Sequence, residues 1–395
     1  MKTKNLTQIS NVTTGKLDAN AEMPDGKFPF FTCAPTPMRI NTFSFDDDVV
    51  LLAGNNAQGN FHLQRYKGKF DAYQRTYVIT AKKGYDIDYI KYSLELSLKH
   101  LKRLAQGSQT KFLTMQILDS FQVLDVPCEE QKTLISSVYA IDNKIRLNDR
   151  ICSELESMAK ALYDYWFVQF DFPDENGKPY RTAGGEMVWN EQLKREIPKG
   201  WKTGTIRDLG TIVSGGTPNT SCDEYYCTDG YAWITPNDLS GNTDKMFINH
   251  GERDVTVEGI ENSSAVLMPK HTVLLSTRAP IGYLAISENE VCTNQGFKSI
   301  VPDSGYSEFY IYYVLKSNIP AIAQQGVGTT FKEVSKETLS GFKIPLPPIE
   351  LTERFAAHIL PVCTKRKLLE NECKELTKLR DWLLPMLMNG QARVE

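Results

Sequence analysis

The chain has 395 residues, 41% of them hydrophobic and 24% charged, with a formal net charge of −3. That balance excludes a disordered chain, a collagen and a disulfide-stapled mini-protein, and at roughly 100–200 residues per domain the length allows two or three domains. It also argues against nucleic-acid binding through bulk positive charge, while leaving room for a local basic face.

In chain order, Met1-Lys2-Thr3-Lys4 and the residues after it lack the apolar stretch of a signal peptide, so a cytoplasmic protein is expected. The sequence has no run of about 18 apolar residues, so no membrane span is expected. Val49-Val50-Leu51-Leu52 and Tyr77-Val78-Ile79-Thr80 read as short strands, and residues 88–105 as a helix. Glu129–Trp166 has no internal Gly or Pro. Its apolar residues recur at 4-3-4-3 spacing through Leu134, Val138, Ile141, Ile145, Asn148, Cys152, Leu155, Ala159, Leu162 and Trp166, which is a heptad seam. Asn148 fits two readings: a buried polar residue that fixes register, or a seam-edge residue in solvent. Residues 170–200 are rich in Gly, Pro, Asp and aromatics, the mark of a turn-rich connection that is packed down. His271–Leu275 and Phe297–Val301 read as strands and residues 307–324 as a helix. A second seam lies in Glu350–Met388: Phe355, Ile359, Val362, Arg366, Leu369, Cys373, Leu376, Arg380, Leu383 and Leu387, with Pro361 a potential kink. Each long helix could pack on its own globule alone, but seams this long favour pairing with each other, and the globule between them permits an antiparallel pair.

The two halves repeat one another. Val12-Thr13-Thr14-Gly15-Lys16 matches Val213-Ser214-Gly215-Gly216-Thr217, and Phe28–Thr32 matches Tyr231–Thr235. Val50-Leu51-Leu52 with Gly59 matches Val273-Leu274-Leu275 with Gly282, and Tyr89, Ile90 and Tyr92 match Tyr310, Ile311 and Tyr313. Gln106-Gly107 matches Gln325-Gly326, and Pro127 with Glu129 matches Pro348 with Glu350. Each copy is a mixed α+β globule followed by a long helix.

Catalytic constellations are missing. The sequence has no GxxxxGK[ST] loop, no GxGxxG cradle, no HExxH and no Cys/His set with zinc spacing. The Asn/Asp-Pro-Pro-aromatic tetrapeptide of an amino-methyltransferase is also missing, and Pro173–Lys178 lacks the strand context and spacing of a nuclease motif. Ser214-Gly215-Gly216-Thr217-Pro218 reads as a turn after a strand in preference to a phosphate nest. Eight cysteines without a CxxC are expected to be buried thiols and not bridges. Residues 1–128 carry sixteen Lys and Arg against twelve Asp and Glu, whereas residues 200–348 carry eleven against sixteen. Two heads on one scaffold have therefore diverged in surface charge.

The chain resembles the DNA specificity subunits of type I restriction–modification systems over nearly its whole length. The carriers are Leu274–Gly282 (LLSTRAPIG), Thr293–Phe297 (TNQGF), Ile344–Pro348 (IPLPP), Val126–Gln131 (VPCEEQ) and the spacer Phe170–Lys178 with Gly184–Met187. Copy one departs at Asn55-Asn56-Ala57-Gln58, and copy two at Leu351-Thr352. The resemblance implies an α+β chain: two homologous α/β target-recognition domains joined by two long antiparallel coiled-coil helices, with pseudo-twofold symmetry. The expected boundaries are 1–128 and 201–348 for the recognition domains, 129–169 and 349–388 for the long helices, and 170–200 for the connector.

It further implies a non-catalytic chain that reads a bipartite, asymmetric site in double-stranded DNA. Two modification subunits would bind S-adenosylmethionine and methylate adenine. Two restriction subunits would use ATP and Mg. The chain itself would bind no cofactor or metal, touch no membrane, and act in a bacterial or archaeal cytoplasm. About 38 helical residues span ~57 Å, or roughly 17 base pairs at ~3.4 Å each, an upper limit for two half-sites and a short gap. A duplicated coiled-coil interaction protein, or a DNA-binding adaptor outside a restriction system, is the alternative.

Polar and cationic loop residues at matching places in the two globules are the expected DNA contacts: Lys16 with Thr217, Asn55 and Asn56 with Arg278, and Gln109, Lys111, Thr329, Thr330 and Lys332. Arg278 fits a structural ion pair as well as a DNA contact, with the DNA contact preferred. Asn294 and Gln295 could read adenine edges, but a role in the tight turn before Gly296 is preferred.

Overall fold

The computed structural model describes residues 2–242, 245–278, 280–328 and 332–392. The chain divides into two compact units, Met1–Arg146 with Lys374–Glu395, and Leu147–Cys373. Both long helices contribute to both units.

In the first unit a six-stranded sheet runs in the order Ser10–Thr14, Thr76–Ala81, Phe45–Ala53, Leu63–Ala72, Phe28–Phe31, Met38–Ile40. Side chains alternate across a strand. Val50 and Leu52 therefore meet Ile79, Tyr89, Ile90 and Leu94 on one face, while Val49 and Leu51 meet Phe31, Phe70 and Val78 on the other. With both faces covered, an unbroken apolar run is what the central strand requires. The covering helix, Ile87–Leu104, starts where the Asp86 carboxylate accepts from the N–H groups of Asp88 and Tyr89.

The second unit repeats this plan with one break. Its five-stranded sheet is ordered Thr211–Ser214, Lys298–Val301, Val273–Leu275, Leu284–Ser287, Phe247–Ile248. A four-stranded sheet is ordered Tyr226–Cys227, Arg253–Val255, Tyr231–Ile234, Val291–Thr293. The single long strand Leu63–Ala72 of the first unit is here two strands, interrupted at Glu288-Asn289-Glu290. The covering helix Glu308–Gln324 starts at Ser307, whose side chain accepts from Tyr310 N–H.

Backbone pairing corrects the repeat register in two places. Gly15 N–H donates to Thr76 and Gly215 N–H to Phe297, so Gly15 corresponds to Gly215 and Lys16 to Gly216, not to Thr217. Gln106 pairs with Phe112 as Val327 pairs with Glu333. Gly107 thus corresponds to Gly328, both at positive φ, and not to Gly326. Two strand ends also differ from expectation: His271, at φ 71°, lies in a turn ahead of Val273, and Phe297 precedes the strand that starts at Lys298.

The first long helix is α-helical over Cys128–Tyr163 and continues as a π turn, Asp164–Val168, that holds Trp166. The second covers Ile349–Met388 and stays helical through Pro361. They pair antiparallel along the expected seams. In the first unit Asp142 meets Arg380. In the second, Asn148 Nδ2 donates to Glu372 at 2.7 Å, Glu156 meets Arg366, and the Trp166 ring lies 5.9 Å from Phe355. Asn148 is buried, which favours its register-fixing reading. Each globule also packs on its helices, through Ile135, Val138, Leu384 and Leu387 in the first unit and Phe355, Ile359 and Cys363 in the second.

Charge joins these apolar contacts. On the first globule's helix, Tyr92 donates its hydroxyl to Asp142 at 2.7 Å, and Lys91 Nζ reaches the same carboxylate at 3.1 Å. Arg380 approaches the other oxygen at 3.3 Å. Burial would raise Asp142, but the Tyr92 hydroxyl and the charges of Lys91 and Arg380 hold it below the usual carboxylate range. In the second unit Glu156 takes the same contacts: Tyr313 OH at 3.0 Å, Lys316 Nζ at 2.5 Å, and the Arg366 guanidinium. Arg366 also donates from Nε to Glu370 at 2.7 Å, and the Glu370 carboxylate accepts the N–H groups of Met246 and Phe247 at 3.0 and 3.3 Å.

The connector is packed down, as its aromatics suggest. Phe172 stacks between Tyr180 and Trp201 at 4.7 and 5.6 Å, and Met187–Asn190 pairs with Arg195–Pro198 in a hairpin. Phe170 sits at φ 67°, strained for a non-glycine, and is held by the Trp201 ring and the Arg195 guanidinium. All eight cysteines are free thiols, as expected, but only Cys152, Cys292, Cys363 and Cys373 are buried; Cys33, Cys128, Cys222 and Cys227 are partly exposed.

Candidate nucleic-acid interface

In the first unit, loops from four strands are stitched together at one edge. Gly15 N–H donates to Thr76 O at 3.1 Å, Gln74 N–H to Leu17 O at 2.9 Å, and Gly54 N–H to Arg75 O at 2.8 Å. The approach at Gly15 is close enough that a Cβ there would lie 2.0 Å from the Ala72 carbonyl, so only glycine fits. Asn55 and Asn56 then pair with Phe112 and Lys111. This lattice brings Lys16, Gln74, Arg75, Asn55 and Lys111 to one edge, with Lys16, Gln74 and Arg75 exposed. Gln109 is exposed at the tip of the turn closed by Gln106 and Phe112. Asn56 braces its own loop, since its Oδ1 accepts from Gln58 N–H at 2.9 Å and Asn60 N–H at 3.0 Å. Close by, Lys102 Nζ donates to Asn60 at 2.6 Å.

The corresponding edge of the second unit is built differently. Gly215 and Gly216 both donate to backbone carbonyls, of Phe297 and Thr293, so Ser214–Pro218 is a strand end followed by an extended, irregular stretch, neither the expected turn nor a phosphate nest. Thr217 hydrogen-bonds Gln295, and Asn294 Oδ1 accepts from Gly296 N–H at 3.0 Å, closing the tight turn. Arg278 bridges to Glu333 in the backbone, and its Nε lies 2.9 Å from the Glu333 carboxylate. The ion-pair reading of Arg278 is thus present in the fold, although 47% of its side chain remains exposed. Lys298 adds a second cation 3.8 Å from Glu333, and burial lowers its pKa. Lys332 is exposed and corresponds to Lys111. Thr329 and Thr330 lie outside the described residues.

Sequence matching missed Gln74 and Arg75. They occupy the positions of Gln295 and Gly296, a correspondence that the Tyr89–Tyr310 spacing carries. Among the described residues, no group of three or more His, Cys, Asp or Glu is gathered that could hold a metal ion. None of the described helices is long and apolar enough to cross a membrane.

The family model for the type I restriction modification DNA specificity domain matches residues 1–157 and again 198–378, one match per copy. The chain is 38% identical to the EcoDI specificity subunit of an Escherichia coli type I restriction enzyme, over 99% of this chain and 88% of that one. It is also 38% identical to the MjaIX specificity subunit of Methanocaldococcus jannaschii, over 42% of this chain and 40% of that relative. The fold resembles the crystal structure of the S subunit of a type I restriction–modification system from M. genitalium, with a TM-score of 0.60 and 14% identity over 98% of this chain and 96% of that one. Two matches in tandem, one on each of two globules built on a common plan, show that the chain belongs to the type I restriction–modification DNA specificity family.

Proposed function

We propose that this chain reads a bipartite, asymmetric DNA site, one half-site per globule, and carries the subunits that act on it. The observation that carries this reading is the duplication: two specificity domains, each presenting a loop edge, whose surfaces have diverged to a net excess of Lys and Arg in one and of Asp and Glu in the other. Lys16, Arg75, Lys111, Arg278 and Lys332 would hold phosphates, and the amides among them, Asn55, Gln74 and Gln109, would face base edges. Thr217, hydrogen-bonded to Gln295, would join them at the second edge, and Thr329 and Thr330 belong to the proposal on sequence alone. The chain would catalyse nothing and bind no cofactor. S-adenosylmethionine, ATP and Mg would belong to two modification and two restriction subunits, all in the cytoplasm.

Support for two identical partners comes from the outer face of the long helices. Tyr139, Leu147 and Met158 on the first helix are exposed, as are Leu360, Leu368 and Leu379 at the equivalent positions of the second. Large apolar residues kept exposed at equivalent places in both copies mark one docking surface presented twice. A modification subunit that lays a helix on each stripe fits this pattern.

Co-expression with the modification subunit and native mass measurement tests it. The expected complex holds two modification subunits per chain. Leu147→Asp and Leu368→Asp each reduce that to one, and the pair abolishes association, with the fold unchanged by circular dichroism. Retention of both partners by the double variant would overturn the docking surface.

A further inference from the structure

The globules rest on the long helices mainly through apolar packing, which is non-directional and tolerates sliding. The two Tyr–carboxylate–Arg contacts are different. Tyr92 and Tyr313 occupy equivalent positions on the two globule helices, and each donates its hydroxyl to a carboxylate on the first long helix, Asp142 or Glu156. Each carboxylate is then held by an arginine from the second long helix, Arg380 or Arg366, and by a lysine of the globule helix, Lys91 or Lys316. Asp142 and Glu156 are separated by two heptads, and so are Arg366 and Arg380, so both contacts fall at the same phase of the seam. Each lies within one unit and ties three elements, the globule helix and both long helices, at a single point.

Resting on the bipartite reading above, we infer that these two contacts are positioning clamps that fix the angle and height at which each globule is held on the helical pair, and so set the length of the gap between half-sites. Tyr92, Asp142 and Arg380 set it for the first globule, and Tyr313, Glu156 and Arg366 for the second. None of the six touches DNA. Their effect is on which spacings are accepted, not on which bases are read. A directional hydrogen bond to a charged group suits such positioning, because it weakens steeply when its angle changes.

The test uses the full chain with its modification subunits and maps methylated bases on a DNA library in which the gap is varied by single base pairs. Tyr92→Phe and Tyr313→Phe remove the two hydroxyls and keep the apolar packing. The expected result is that preference for the parent gap over gaps one base pair longer or shorter falls by about tenfold, while both half-sites keep their bases. Lys91→Met and Lys316→Met remove a different arm of each clamp and give the same broadening to a smaller degree. A merely structural role lowers yield and thermal midpoint without changing the spectrum of gaps, and that outcome overturns the proposal. So does a change in the bases read within a half-site. If the parent complex itself methylates one uninterrupted motif, the bipartite reading falls first and the clamps with it. A bipartite parent with unchanged gap preference in the variants defeats the clamps alone.

Discussion

Replacing Arg366 by methionine is expected to destabilise the second unit by about 3–5 kcal/mol, the usual cost of breaking a buried ion pair by removing one partner. Arg366 is 3% exposed and Glu370 4% exposed. Burial opposes the guanidinium charge, yet the charges of Glu370 and Glu156 hold its pKa above the usual arginine value. Without it, the Glu156 and Glu370 carboxylates lose the counter-charge they share, and Glu156 keeps Lys316. Glu370 also accepts the N–H groups of Met246 and Phe247, so the disturbance passes into the sheet of the second globule. The companion variant Arg366→Met with Glu156→Gln and Glu370→Gln removes the three charges that meet there, leaves Lys316 with its side chain 32% exposed, and should recover much of the loss, because no deeply buried charge is then left without a partner. Denaturant unfolding followed by hydrogen exchange resolves the two units. Residues 147–373 lose protection in the single variant, and residues 3–124 keep theirs. Equal destabilisation of the single and triple variants would mean that Arg366 acts through packing alone.

The second large effect concerns the length of the helical pair. Four residues inserted into the first helix between Asn148 and Glu156, matched by four between Arg366 and Glu372, lengthen both members together by about 6 Å and rotate the downstream segment by roughly 40°. A four-residue stutter is a local unwinding that coiled coils absorb. At ~3.4 Å per base pair, the gap in the modified site should grow by one or two base pairs, and the parent site should no longer be modified. The half-sites stay as they were. An insertion in one helix alone leaves its partner short and strains the Asn148–Glu372 hydrogen bond, so it should lower activity more than it shifts the gap. Modification of the parent spacing by the matched variant would show that the helices do not measure it.

The seams were readable because a heptad period is a strong signal over many turns, and Arg366 and Arg380 stood out as cations on an apolar line. Their partners did not. Asp142 and Glu156 fall one residue off the seam, where periodicity registers only another polar position, and Tyr92 and Tyr313 come from elements distant in sequence. The repeat was readable in outline, yet its register slipped at Gly15 and Gly107. Matching letters, Gln-Gly with Gln-Gly, outweighed the backbone requirement that pairs Gly107 with Gly328, both at positive φ. Arg75 has no cationic counterpart in the second copy, which has Gly296 there, so the repeat does not point to it. The ion pair of Arg278 is made with Glu333, 55 residues on, so residues 274–282 alone allow an ion pair but cannot name its partner.

The most direct measurement exchanges residues 1–128 for the matching region of a family member with a different site, then maps methylated bases across the genome of the host. Two independent readers predict a hybrid site: one half-site replaced, the other unchanged, and the gap preserved when the incoming region carries a tyrosine at the position of Tyr92, because Asp142, Arg380 and the seam are untouched. A site in which both halves change together, or neither changes, contradicts the assignment of one half-site to each globule.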